Sequence, residues 1–252
     1  MSVAVLVIAH GSPDPNWERL VEQALQPCRA QLPFPLGVAY LGKQDGRSIA
    51  AQVERLEQQG AQTVIVVPLF VTAGSAHIGE IRQMLGLAPP YPGTPPATPL
   101  SCRVRFHWCP PLEDDPWVEP ILLDRLSALS ADPRQESLLL VGHGCALPGY
   151  RQHWERLLRR LSSRMKRHYP FAAIGHATLQ PDNVAARARE LAAWGTLVVL
   201  PLFISSGYFT RCVIPQRLAG IPHRYEGAAY LPHPAIARWI VQSVEKALEQ
   251  VL

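Results

Sequence analysis

The sequence predicts a tandem pair of parallel α/β units, and three observations carry that expectation. The first is repetition at a fixed offset. Val5-Leu6-Val7-Ile8-Ala9-His10-Gly11 returns as Leu138-Leu139-Leu140-Val141-Gly142-His143-Gly144, and Val66-Val67-Pro68-Leu69-Phe70 returns as Val199-Leu200-Pro201-Leu202-Phe203, both 133 positions later. The second is the tetrapeptide Trp17-Glu18-Arg19-Leu20, repeated verbatim as Trp154-Glu155-Arg156-Leu157 at an offset of 137. The second copy thus carries four extra residues, about one helical turn, after its His-Gly. The third is rhythm. Continuous Val/Ile/Leu runs alternate with apolar residues at helical spacing, the pattern of parallel strands covered by helices on both faces.

The elements follow in order within each copy. An apolar run ends at His-Gly, and Leu20, Val21, Ala24, Leu25 and Cys28 then fall on one helical face. A shorter strand over 37–41, a helix over 48–59, a strongly apolar strand over 63–70 and another helix come next. A last strand (104–108 in the first copy, 227–230 in the second) and a closing helix complete the unit. In such sheets ligands bind beyond the carboxyl ends of the strands, which is where His10, His143 and the segments after Phe70 and Phe203 fall.

Composition bounds the function. The 252 residues are 48% hydrophobic and 17% charged, which excludes a disordered chain, and no apolar run reaches the roughly 18 residues of a membrane span. The apolar N-terminus lacks a basic leader region, so it reads as a buried strand and the chain as cytoplasmic. A net charge of +4, with no Lys/Arg cluster, fits a small anionic substrate better than nucleic acid. The 156–160 stretch, rich in arginine, reads as a solvated helix face. Five cysteines without CxxC spacing argue for free thiols rather than a disulfide framework or zinc ribbon. The polar stretch 127–136 reads as a linker, which gives domains 1–128 and 135–252. Their mutual packing would make the chain a monomer. The segment 88–99 holds six prolines without a counterpart in the second copy, and reads as an extended surface insertion or, alternatively, a lid.

His10 is the first candidate for chemistry. Gly11 and Ser12 turn the chain from its strand into a helix whose free N–H groups can hold an anion, and Asp14 lies near enough in sequence to orient the ring. His77 is the second, in Thr72-Ala73-Gly74-Ser75-Ala76-His77-Ile78-Gly79-Glu80 after the 63–70 strand. Two adjacent strand ends can bring the imidazoles together, where they suit a divalent transition metal or proton transfer near pH 7. Glu80, one turn after His77, reads as a supporting acid or a metal ligand, or equally as an exposed carboxylate at a helix start. At the 133 offset His10 maps onto His143 but His77 onto Thr210, which points to one working site in copy one and a degenerate second copy. His107, His153, His168, His176, His223 and His233 read as structural or surface residues. The absence of Walker A, G-x-G-x-x-G and G-x-S-x-G patterns removes nucleotide and α/β-hydrolase chemistry from consideration.

His10-Gly11-Ser12-Pro13-Asp14-Pro15, Val67-Pro68-Leu69-Phe70 and Gly74-Ser75-Ala76-His77 together resemble the class II chelatases of sirohydrochlorin, the cobaltochelatases and ferrochelatases, in their two-unit bacterial form. The resemblance implies tandem flavodoxin-like parallel-sheet units. It also implies insertion of Co²⁺ or Fe²⁺ into sirohydrochlorin for cobalamin or siroheme, with the metal as substrate and no permanent cofactor. His10 and His77 match the family's metal-holding, proton-accepting pair, and Gly11, Ser12, Gly74 and Ser75 its substrate-contacting turns. Nickel or another tetrapyrrole, or a carrier without turnover, are the alternatives. Two departures bear on metal preference. A site glutamate of the family has no counterpart in Tyr40-Leu41-Gly42-Lys43-Gln44, and Glu80-Ile81-Arg82 replaces Asp-Ile-Pro. Lys43, Arg47 and Arg82 are candidate partners for substrate carboxylates, or else solvated surface cations.

Overall fold

The computed structural model describes residues 2–43, 45–89 and 96–251 and divides into two compact units, 1–112 with 236–252 and 113–235. In unit 1, β1 (Val3–Ala9), β2 (Leu36–Tyr40), β3 (Thr63–Leu69) and β4 (Arg105–Trp108) form a parallel sheet of order β2-β1-β3-β4. β1 and β3 are buried along their full length, as their unbroken apolar sequences require. Parallel neighbours need crossovers, and α1 (Pro15–Gln31), α2 (Ile49–Gln58) and α3 (Ala76–Met84) supply them. Asp14 caps α1 by accepting from Asn16 N at 3.0 Å, with Pro15 at the first helical position, and Ser48 caps α2 through Ala51 N at 3.2 Å. Ile49, Val53, Leu56, Ile78 and Ile81 pack on Leu6, Ile8, Val64 and Val66 to make the core under α2 and α3.

Unit 2 repeats the plan. β5 (Glu136–Gly144), β6 (Ala173–Gln180), β7 (Thr196–Leu202) and β8 (His223–Arg224) form a parallel sheet of order β6-β5-β7-β8. Helices α4 (Val118–Leu129), α5 (Pro148–His168), α6 (Val184–Ala192) and α7 (Ile214–Leu218) accompany it. Val184, Ala188, Leu191, Ile214 and Leu218 cover Leu139, Val141, Val199 and Ala177. The last strand is two residues long and lies before the expected 227–230. Gly227 takes φ +70°, and its carbonyl accepts from Ser206 Oγ at 2.7 Å, a conformation that leaves the ladder.

The closing helices do not follow the sequence copies. α4, the last helix of copy one, belongs to unit 2, where Asp114 and Glu119 pair with Arg164 and His168 of α5. The last helix of the chain, α8 (Pro234–Val251), lies almost wholly in unit 1, where Cys28 Sγ donates to Ala237 O and Cys109 Sγ to Ser243 O, both at 3.6 Å. The compact units thus cut the chain at other points than the sequence repeat does. The expected linker is ordered as well. α4 runs to Leu129, a 3₁₀ turn spans Pro133–Gln135, and the Glu136 carboxylate accepts from Ser130 Oγ, Ala131 N and Arg224. Of the proline-rich segment, 90–95 lie outside the described residues. Beyond them Ala97 N donates to Gln83 Oε1 at 3.0 Å and Leu100 N to Met84 O at 2.8 Å, tying the return to α3. Among the described residues no helix is long and apolar enough to cross a membrane.

Candidate active site

The sheet order of unit 1 reverses direction between β1 and β3, and at such a point the loops leaving two neighbouring strands part and open a crevice. Ala9 pairs with Leu69 at the carboxyl end, so the segments that follow start side by side. His10 comes directly after β1. Gly11 then adopts φ +81°, and a Cβ there would sit 3.1 Å from Tyr40 Cβ and 3.2 Å from Leu41 O. Only glycine meets both demands without strain. Ser12 Oγ accepts from Asp14 N at 3.1 Å, closing the turn that lets Asp14 cap α1.

The β3 side is built differently. After Phe70 the chain turns through Thr72, whose hydroxyl is buried and accepts from Gly74 N at 3.1 Å. Ser75 stands at the N-cap of α3 without a side-chain capping bond, and His77 occupies the first turn. The two imidazoles meet with ring centroids 4.8 Å apart and planes at 76°, and both are solvent-exposed.

Hydrogen bonding selects the tautomers. His10 Nδ1 lies 3.0 Å from Gly11 O, and His77 Nδ1 lies 3.3 Å from Glu80 Oε2. A carbonyl or carboxylate oxygen only accepts, so each bond puts a proton on Nδ1, and in the neutral imidazole Nε2 then keeps its lone pair. A carboxylate or carbonyl behind Nδ1 is the usual support of an imidazole that ligates through Nε2. The structure therefore gives Glu80 the supporting position. The pair offers two basic nitrogens at one sheet end, and among the described residues no group of three His, Cys, Asp or Glu converges to enclose an ion.

The candidate carboxylate-binding cations are placed otherwise. Lys43 Nζ sits 2.9 Å from Glu18 Oε1, and Arg47 bonds both Glu18 and Asp45. Arg82 lies with its guanidinium carbon 5.9 Å from the centre of the Trp108 ring, and its Nε is buried without a hydrogen-bond acceptor among the described residues. Gln44 lies outside the described residues.

The second copy departs from its expected pairing. His143 keeps the His10 geometry, with Nδ1 3.0 Å from Gly144 O, but the residue facing it is Phe209, not Thr210. Those rings stand at 4.8 Å and 90°, and Phe209 stacks on Phe203 at 6.1 Å. Thr210 is buried and accepts from Gly207 N at 2.9 Å. The cause is a five-residue π-helical segment, Phe209–Val213, whose wider turn advances the register by comparison with α3. A fixed 133 offset hides that shift, and the aromatic residues beside Thr210 were the available signal. Of the other histidines, His168 and His233 bond Glu119 and Asp124, while His107, His176 and His223 lie in strands.

A duplicated parallel α/β architecture with an imidazole pair at the switch point of its first sheet defines the class of protein. The chain belongs to the CbiX family, whose model matches it twice, over residues 4–129 and 137–250. A sirohydrochlorin cobaltochelatase of Methanopyrus kandleri is 24% identical over 135 residues, covering 49% of this chain and 94% of its own. The fold is shared with the sirohydrochlorin chelatase SirB of Bacillus subtilis subspecies spizizenii in complex with cobalt, at TM-score 0.74, 19% identity and coverage of 99% of this chain and 96% of that one. A CbiX structure, described as the terminal enzyme for siroheme biosynthesis in denitrifying bacteria, aligns at TM-score 0.63 and 19% identity, covering 97% of this chain and 99% of the other.

Proposed function

We propose that the chain is a chelatase that inserts Co²⁺ or Fe²⁺ into sirohydrochlorin, with His10 and His77 holding the ion and taking up the ring protons. The observation that carries this reading is the 4.8 Å imidazole pair with both Nε2 atoms basic, in a chain of the CbiX family. Imidazole suits both metals, so the donor set admits either. Two protein ligands leave most of the coordination sphere open, which suits a metal that must be surrendered rather than kept.

The proton count closes on the same two residues. Insertion replaces two pyrrole N–H protons by one M²⁺. As each metal–Nε2 bond gives way to a metal–pyrrole bond, that Nε2 lone pair is freed and accepts one proton, giving two imidazoliums that release to water. Exposure of both rings provides the exit for those protons. Gly11, Ser12, Gly74 and Ser75 shape the two turns that border the pair, and the Ser75 hydroxyl, uncommitted to its helix, is available to a substrate carboxylate.

The test is a turnover assay. Purified protein mixed with excess sirohydrochlorin and Co²⁺ or Fe²⁺ is expected to shift the visible spectrum of many macrocycle equivalents per chain. A spectral change that stops at one equivalent would identify a carrier instead.

A further inference from the structure

Unit 2 contains a cleft of about 350 Å³ at the carboxyl end of β6, between the start of α5 and the start of α6. It is lined by Arg151, Glu155 and Arg159 from α5, Arg187 from α6, and His176 and Thr178 from β6. We propose that this cleft binds a small organic anion bearing phosphate or carboxylate groups, at a site separate from the histidine pair of unit 1.

The register between copies shows how the space arises. Ala9 pairs with Tyr40 in unit 1 and Gly142 with Thr178 in unit 2, so Thr178 stands where Tyr40 stands. Tyr40 is a buried ring packed edge-on to Trp17 at 6.4 Å. Threonine is the smaller side chain, and Thr178 lines the cleft. By the same register His176 replaces Val38, and by the repeated tetrapeptide Arg159 replaces Glu22. An apolar, acidic corner has become a polar, basic one.

The cations there are not consumed by their neighbours. Among the described residues Arg159 has no carboxylate partner, and its Nε donates only to the Glu155 carbonyl at 3.2 Å. Arg151 stands 3.8 Å from Glu155, a loose pair, and Arg187 bonds Glu190 through one Nη. Each guanidinium carries five N–H donors, so most remain available for a bidentate anion. Arg187 also lies against the sheet. A Cβ on Gly175 would come 3.1 Å from its Nη2, so the guanidinium lies close over the β6 backbone. Three guanidiniums against the single lining carboxylate of Glu155 give the cleft a net positive field. Burial, with Arg187 and Arg159 adding to it and Glu155 opposing, holds the His176 imidazole below its ordinary range. Ser162 Oγ lies 3.4 Å from its Nδ1. An anion bound among the arginines would cancel their repulsion, so the pKa of His176 rises on binding and binding tightens as pH falls.

The experiment is a titration of the full chain at pH 7 with inorganic phosphate and, separately, with citrate, following the His176 ring resonances by NMR. A His176→Gln variant assigns the signal. The expected result is a saturable shift toward the protonated form with a Kd below roughly 10 mM for at least one probe. Which probe binds more tightly separates a phosphate-bearing from a carboxylate-bearing ligand. Arg159→Ala and Arg187→Lys are each expected to weaken it by roughly tenfold, the lysine losing the fork but keeping the charge and the packing. Arg29→Ala, which removes a surface cation of unit 1, is expected to change nothing. No saturable shift with either probe, or equal weakening by Arg29→Ala, would overturn the assignment.

Discussion

His143 meets Phe209 at the same 4.8 Å ring separation at which His10 meets His77. Both copies thus build a ring pair at the ends of their two central strands, but only the first has nitrogen on both rings. Phe209→His therefore recreates the donor set with little change of shape, since Phe209 is already 37% exposed. In a His10→Ala background, which lacks the first pair, Phe209→His is expected to restore about one equivalent of saturable Co²⁺ binding by calorimetry. If the double variant binds no more Co²⁺ than His10→Ala alone, ring placement is not what distinguishes the copies.

Much of this was legible in the sequence because it depends on local pattern. β1 and β3 announce themselves as unbroken apolar runs, and His10 and the loop to His77 are their immediate continuations, so parallel pairing alone brings them together. What escaped depends on partners distant in sequence. The amphipathic faces of α4 and α8 say that each must cover a sheet, not which sheet, and a sequence repeat does not record which unit a helix joins. Lys43 and Arg47 look like free cations until Glu18, on another element, is seen between them. The π-helical turn at Phe209 moves one residue into the place of another without altering any composition signal. Arg159 looked solvated, as an exposed helical residue should, while the absence of a ring at Thr178 is what gives it a cleft to face.

Glu136 makes an acid-sensitive contribution to stability. Burial opposes its ionisation, yet bonds from Ser130, Ala131 N, Asp132 N and Arg224 outweigh that and hold its carboxyl below the ordinary 4.5. A depressed folded pKa means stability that is full above that ordinary value and is lost as pH falls through the folded one. Glu136→Gln is expected to cost about 2–4 kcal/mol near pH 7. The deficit should shrink below pH 4 in denaturant melts of the two proteins. A deficit independent of pH would mean that packing, not charge, is what the variant removes.

Gly142 and Gly144 should tolerate alanine to different degrees. A Cβ on Gly142 would stand 2.6 Å from the Trp154 ring, and one on Gly144 would stand 2.1 Å from Gln180 O at φ +76°. A side chain can rotate away, whereas a paired backbone carbonyl cannot. Gly142→Ala is expected to cost about 1–3 kcal/mol, and Gly144→Ala more than that, in urea unfolding. Equal costs would show that the β5–β6 ladder yields as readily as a tryptophan side chain.

The thiols should sort by burial. Burial pushes the Cys28 thiol up to about 11 and Cys109 to about 12, while Cys212 is exposed. Since the thiolate is the nucleophile, an alkylating reagent at pH 7.5 is expected to modify Cys212 first and to reach Cys28 and Cys109 only on unfolding. Peptide mapping of the labelled protein reads this directly, and early label on Cys109 would mean that its contact with α8 opens in the native state.

The final prediction concerns which histidines carry the chemistry. If two Nε2 lone pairs must hold the ion and then take two protons, neither member of the pair can be spared. His10→Ala and His77→Ala are each expected to lower the chelation rate by at least roughly 100-fold. His143 has the same tautomer but faces a phenyl ring, which offers neither a lone pair nor a proton site, so His143→Ala should keep most of the rate. Its cost should fall on stability instead, through the lost ring contacts with Phe209 and Phe203, by about 1 kcal/mol. Glu80→Gln keeps a hydrogen-bond acceptor for His77 Nδ1 but removes the charge, and a several-fold loss is expected of it, smaller than that of either histidine. Rates and thermal melts of the four variants decide the matter together. A His143→Ala protein that melts near wild type yet is as inactive as His10→Ala would show that the second copy's histidine takes part in the reaction.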